Sequence, residues 1–273
     1  MVKQAEEKNI GSIIGNIPYR MAFAGGWIDQ PFISAHNPSP PGSMVVVSLE
    51  PTFHFMTKCG MGTSTREIAK KIWNGALPNE DPQIMMRDLY HAENIERIEP
   101  SGSQDMAGIV FPGVNRLDYD ANFEDGYFPV HVESNNDPNV AHWLEDVIFC
   151  LPVNQRPHGY NPLATKNLDP TWIKRLGQSG KDCYQAILSQ DAGMLGNSMN
   201  ESMRCWEVIL PHTVRYSTTI NLPEILEYYQ SRYYGAMYSG CGGGYLYVIS
   251  EELVPGAFKV KVRISTEKNQ QNG

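Results

Sequence analysis

Three glycine-bearing segments, met in a set order, constrain this chain more than any other feature. They are PYRMAFAGGWIDQ at 18–30, CGMGTSTREIA at 59–69 and SGCGGGYLYVIS at 239–250. In the second, Gly60 and Gly62 let the backbone turn without a Cβ clash. Ile68, Ala69, Ile72 and Trp73 follow at helical spacing, and Thr63, Ser64 or Thr65 can cap that helix. A helix start preceded by glycines leaves unpaired N–H groups facing outward, which is a ready anion site. No Gly-Lys-Ser/Thr is present, so this is not a Walker A loop, and by itself the segment reads more simply as a capped helix. In the third, four glycines before an apolar strand let another backbone come very close; a tight turn or bulge is the plain alternative.

A fourth segment, PSGSQDMAG at 100–108, adds carboxylate chemistry. Asp105 follows a small-residue turn, and Glu93 lies twelve residues upstream on a predicted helix. Phosphoryl transfer needs a carboxylate beside the attacking hydroxyl and oxygen ligands for a metal beside the phosphates. Taken alone, Asp105 reads as a cap and Glu93 as part of a solvated face.

Elsewhere the chain mixes strands and helices without a βαβ rhythm, which predicts α+β rather than a doubly wound sheet. Strands are predicted at 19–24, 44–49 and 147–152, after the glycine turn at 239–244, and over the alternating FKVKVRIS. Residues 52–58 alternate weakly and are expected to pair with 44–49. Helices are predicted after the phosphate-type turn, over 81–97, 170–190, 197–208 and 222–235, the last with Pro223 in its first turn. Residues 134–141, with Asp137-Pro138, read as a loop, and 154–167 as a Pro/Gly-rich linker or lid carrying His158 and Tyr160.

Composition narrows the function classes. A net charge of -8 repels phosphate backbones, so nucleic acid is not an expected partner. With 41% hydrophobic and 19% charged residues a sizeable core is affordable. Five cysteines without C-x-x-C spacing argue against a disulfide framework or a zinc site. The N-terminus lacks the apolar run of a signal peptide, and no stretch approaches the ~20 apolar residues of a membrane span. A soluble, cytoplasmic protein without a membrane partner is expected; the oligomeric state is open.

Taken together, the segments resemble the GHMP kinases, the family of galactokinase, homoserine kinase, mevalonate kinase and phosphomevalonate kinase. Pro18, Arg20, Gly25, Gly26 and Asp29 are similar to the family's N-terminal motif. Gly60-Met61-Gly62-Thr63-Ser64-Thr65 resembles its phosphate loop, GSQD its catalytic-aspartate segment, and Gly240, Gly242, Gly243 and Gly244 its C-terminal glycine motif. AFAGGWID and GSQDMAG look closest to sugar kinases of the heptose and fucose type. The resemblance implies a two-domain α+β fold: an N-terminal ATP-binding domain over 1–150 with a shortened segment between Gly26 and Gly60, and a ferredoxin-like domain over 151–273. It implies ATP and Mg²⁺, with phosphates over Gly60, Gly62, Thr63, Ser64 and Thr65. It implies Asp105 and Arg20 as catalytic residues, Ser64 and Glu93 as metal ligands, and Asp29, Gly242 and Gly243 against the substrate. Arg66 is expected either to contact phosphate or to crowd the site.

The expected function is transfer of the γ-phosphoryl group of ATP to a hydroxyl of a sugar or sugar derivative, with Asn115 and His54 as further candidate hydroxyl partners. Two alternatives stand beside it: a kinase of a non-sugar alcohol of the mevalonate or homoserine type, and a non-catalytic relative that binds a metabolite or protein.

Overall fold

The computed structural model describes residues 13–156, 159–215 and 220–265. Two antiparallel sheets organise it. The first has the order β1-β2-β3-β4: β1 (Tyr19–Ala22), β2 (Gly42–Leu49), β3 (Val114–Tyr119) and β4 (His131–Asn135). Every residue of β2 is buried, which explains why MVVVSL reads as a continuous run rather than an alternation. The second sheet has the order β5-β7-β6: β5 (Ile148–Asn154), β6 (Gly235–Gly240) and β7 (Gly243–Ile249).

Nine helices of the described residues matter here: α1 (Pro31–Ser34), α2 (Thr63–Ile72), α3 (Pro82–Asn94), α4 (Gln104–Val110), α5 (Pro138–Val147), α6 (Pro170–Leu188), α7 (Ala192–Ile209), α8 (His212–Arg215) and α9 (Leu222–Gln230). Helix α6 lies on β2 and against α7, while α7 covers β6, so the two long helices join the sheets through one buried apolar cluster. Asp169 starts α6 by accepting from the N–H groups of Thr171 and Trp172, with Pro170 at the first helical position. No helix among the described residues is long and apolar enough to cross a membrane.

Several expectations are corrected. Residues 134–141 are not a loop: Asp137 accepts from Asn139 N–H and Pro138 opens α5, so what read as a turn is a helix start. Residues 52–58 form no strand, and β3 takes the place beside β2. Strand β6, GAMYSG, was not expected; it lacks apolar alternation because α7 and β7 bury it throughout. Helix α9 stops at Gln230 and α7 begins at Ala192.

FKVKVRIS, for all its alternation, makes only the isolated bridges Cys150↔Phe258 and Leu49↔Val262. A regular fourth strand of a ferredoxin-like sheet is therefore absent from the described residues. The segment instead stitches the sheets together: Phe258 exchanges backbone hydrogen bonds with Cys150 in β5, and Arg263 N–H donates to Ser48 O in β2 at 2.8 Å. Residues 1–12 and His158 lie outside the described residues.

Candidate active site

Arg20 sits on β1 with 6% of its surface exposed and spends its donors on two segments distant in sequence. Its Nε donates to Asp105 Oδ1 at 2.6 Å, its Nη2 to the same oxygen, and its Nη1 to Gly60 O at 2.7 Å. Burial, the largest single effect, depresses the guanidinium, but the charges of Asp105, Tyr247 and Asp29 and the hydrogen bond to Asp105 together outweigh it, and its pKa is raised. Asp105 stands in the first turn of α4, where the free N–H groups favour a carboxylate. Its Oδ2 accepts from Thr65 Oγ1 at 3.3 Å.

The phosphate-type loop is clamped from both sides. Gly60 has φ +74, and a Cβ there would lie 2.1 Å from Ser239 O, so no other residue lets the loop pass so close to the end of β6. Ser239 Oγ donates to Cys59 O at 2.5 Å, and Tyr247 OH contacts Met61 Sδ at 2.9 Å. Gly60→Ala is expected to cost about 2–4 kcal/mol, from the left-handed backbone and the clash together, read as a lowered midpoint in urea unfolding.

Arg20, Asp29, Gly60, Gly62, Glu93 and Asp105 all line one cleft of about 690 Å³, together with Thr63 and the exposed Ser64 at the start of α2. The helix start after Cys59 and the carboxylate at 105 therefore face a common cavity. Lys58 and Arg156 add positive charge on the loop side. Arg156 Nε donates to Cys241 O at 3.0 Å. Thr65 is fully buried, with its hydroxyl turned to Asp105 rather than to open space.

Glu93, on α3, has 8% exposure. Its Oε1 accepts from Arg97 at 2.9 Å and Ser101 Oγ at 3.3 Å, while Oε2 has no partner. Burial, foremost, raises its pKa. A buried carboxylate oxygen without a donor, on a residue that lines the cleft together with Ser64, suits a hard cation. Among the described residues no group of three or more His, Cys, Asp or Glu forms a metal cage, so such an ion would need ligands from bound phosphate.

Asp29 is fully buried and belongs to the same cleft lining. Gln104 Nε2 donates to its Oδ1 at 3.3 Å, whereas Asp29 Oδ2 and Gln104 Oε1 are unpartnered. A Cβ at residue 102 would lie 1.9 Å from Oδ2, so only glycine leaves room for this carboxyl. Burial, then the charge of Asp105, pushes the Asp29 pKa up to about 7.

Other expected residues stand elsewhere. Gly242 and Gly243 lie behind the cleft wall, packed on the Tyr160 ring and Asn154 Oδ1. Asn115 is buried in β3, bonded to Ser134, Phe111 and Gly113, and His54 is exposed outside the cleft. Arg66 neither lines the cleft nor crowds the loop. It turns inward, donates to Ile17 O at 2.7 Å and Ile14 O at 2.8 Å, and lies 4.1 Å from the Tyr19 ring centroid. Arg66→Met is expected to lose about 2–4 kcal/mol of stability, because buried carbonyls lose charged donors, with little change at the cleft; chemical unfolding of the variant checks it.

No family model and no curated protein matches the sequence. Comparison with solved structures is decisive for the architecture. Lactococcus lactis galactokinase, solved with galactose, superposes at a TM-score of 0.64 with 10% identity over 92% of this chain and 93% of its own. The chain has the GHMP-kinase fold. Within that fold, the Methanococcus jannaschii mevalonate kinase aligns at a TM-score of 0.59 with 11% identity, covering 90% of this chain and 97% of its own. A D-glycero-D-manno-heptose 1-phosphate kinase from Bacteroides thetaiotaomicron aligns at 0.54 with 10% identity, covering 91% and 96%. At such identities the GHMP fold is shared while the chemistry must be argued from the site.

Local sequence gave no sign of several cleft residues. Gln104 adjoins Asp105, yet only its orphaned carbonyl marks it. Trp206, on α7, reaches across 180 positions to donate from Nε1 to Gly26 O at 3.0 Å. Trp27, at φ +81, wedges against Phe32 and Trp206 with ring centroids 6.5 and 6.4 Å away.

Proposed function

We propose that this chain is an ATP-dependent small-molecule kinase that moves the γ-phosphoryl group onto a hydroxyl of a sugar or sugar derivative. The observation that carries the reading is the Arg20 fork: one buried guanidinium binds both the Asp105 carboxylate and the phosphate-type loop at Gly60 O. A terminal phosphate over the start of α2 and an acceptor hydroxyl at Asp105 would then meet beside a single fixed positive charge.

The residue roles follow from that placement. The free N–H groups of Thr63, Ser64 and Thr65, with Lys58 and Arg156, bind donor phosphates. Asp105 Oδ2 accepts or orients the proton of the attacking hydroxyl. Arg20 stabilises charge developing on the transferred group without having to reorganise. Glu93 Oε2 and Ser64 would hold Mg²⁺, which supplies neutralisation of phosphate charge when bound. Asp29 Oδ2 and Gln104 Oε1, unpartnered and buried, suit hydroxyl donors; leaving them unpaired is costly, so a polyol fits better than mevalonate or homoserine. The proposal keeps the division into 1–150 and 151–273, with the cleft between the two sheets, and a cytoplasmic setting.

The test is phosphorylation of a sugar panel, with mevalonate and homoserine as competitors, in ATP and Mg²⁺. Acceptor-dependent ADP release matched by one phosphosugar is expected. No acceptor turnover and no nucleotide binding at millimolar concentration would overturn the reading.

A further inference from the structure

The acceptor end of the cleft carries a cation that phosphoryl transfer does not require. Arg20 is committed to Asp105, Arg97 to Glu93, and Arg156 to Cys241 O beside the phosphate-type loop. Lys166 belongs to none of these. It lines the same cleft, and its Nζ lies 4.3 Å from the centroid of the Phe32 ring. Phe32 touches Trp27, Trp27 touches Trp206, and Trp206 bonds Gly26 O three residues before Asp29. This chain of contacts links the ammonium to the Gly26–Asp29 segment.

The backbone under Lys166 is held. Asn167 N–H donates to Ile209 O at 2.8 Å, and Asn167 Nδ2 to Val208 O at 2.9 Å. Thr165 Oγ1 is 3.2 Å from His212 Nε2. The segment is thereby tied across the end of α7, and the lysine is presented over the aromatic wall rather than left on a free loop. No carboxylate among the described residues pairs with it. In a chain of net charge -8, an unneutralised cation anchored at a ligand-sized cleft marks where an anion belongs.

We propose that Lys166 is a specificity-determining residue that selects an acceptor bearing an anionic group, a phosphate or a carboxylate, distal to the hydroxyl that is phosphorylated. The proposal rests on the kinase reading for the word acceptor, but its recognition step does not need turnover. Asp29 and Gln104 take the hydroxyls, the Trp27 and Trp206 rings cover an apolar face, and Lys166 closes on the charge. A neutral sugar would leave the ammonium with the Phe32 ring and water but no opposite charge.

Binding is therefore measured directly, by quenching of tryptophan fluorescence without nucleotide, for a neutral hexose, its 6-phosphate and its hexuronate. The wild-type protein is expected to bind at least one anionic sugar about 10- to 100-fold more tightly than the neutral one, the range of one charge-assisted contact. Preference for the 6-phosphate over the uronate, or the reverse, distinguishes the two anions. In Lys166→Met that preference is expected to fall to about twofold or less, with affinity for the neutral hexose and for ATP unchanged. Lys166→Arg is expected to restore most of it. Equal binding of neutral and anionic sugars by the wild-type protein, an unchanged preference in Lys166→Met, or no binding of either anionic sugar overturns the proposal. Loss of turnover with the anion preference intact would count against the kinase reading alone.

Discussion

Asp105→Asn is expected to lower kcat by about 10²–10⁴ while ATP affinity holds or rises slightly. Asparagine keeps the shape, and its Oδ1 still accepts from Arg20 Nε, held at 2.6 Å in the parent. What is lost is the negative charge that, in the proposed reaction, takes the hydroxyl proton. Removing a carboxylate from beside the terminal phosphate also removes a repulsion, which is why nucleotide binding should not weaken. A stability change must be separated from this. Arg20 loses its ion-pair partner but keeps an acceptor, so the cost is that of a weakened charged hydrogen bond, about 1–3 kcal/mol, rather than the larger cost of stranding a buried charge. Single-turnover kinetics at saturating ATP, alongside a urea titration of the variant, resolve the two. A kcat within about threefold of the parent would remove Asp105 from the chemistry. If neither protein turns over and both bind the same ligand equally well, the chain is a non-catalytic binder.

The parts of this cleft that could be read from sequence are those whose chemistry is local. Gly60 and Gly62 announce a backbone that must bend, Thr63 to Thr65 announce a helix start, and GSQD puts a carboxylate on the next one. Each motif carries its reason within a few residues. The aromatic end was less legible because it is assembled from afar: Trp206 and Lys166 reach Gly26 and Phe32 only after α6 packs on β2 and α7 packs on α6 and β6. Arg66 shows the opposite limit. Next to a phosphate-type loop, a basic residue suggests phosphate, yet its side chain points to the helix face buried under residues 14–17. The fold shows the same division. VIFCLP reads as a strand because its burial is written in its composition, whereas GAMYSG becomes β6 because neighbours cover it. FKVKVRIS alternates as a strand should, but the edges it meets belong to two different sheets, so it bridges them instead of extending either.

Asp29→Asn is expected to stabilise the protein near neutral pH by about 3–4 kcal/mol, with the gain vanishing in acid. The Asp29 pKa stands at about 7 in the folded chain, against 3.8 as the ordinary value. Below pH 3.8 the carboxyl is protonated in both states and contributes no pH dependence. Between there and pH 7 the unfolded chain has released its proton and the folded chain has not, so the unfolded state binds fewer protons and parental stability falls as pH rises. Above pH 7 both forms are ionised and the loss levels off. The difference between the two values is about three pKa units, each worth about 1.4 kcal/mol. Asparagine does not titrate, keeps an oxygen for the Gln104 amide, and removes this dependence. The variant's advantage over the parent should therefore grow from about zero at pH 4 to its full size by pH 7.5, measured by urea unfolding at each pH. The same substitution should weaken acceptor binding, because the unpartnered oxygen of residue 29 is replaced or reoriented. A carboxyl that costs stability at neutral pH yet lines the cleft fits the ligand role proposed for it. Parallel pH profiles of the two proteins would show that Asp29 ionises normally in the fold, and the acceptor end would then need a different account.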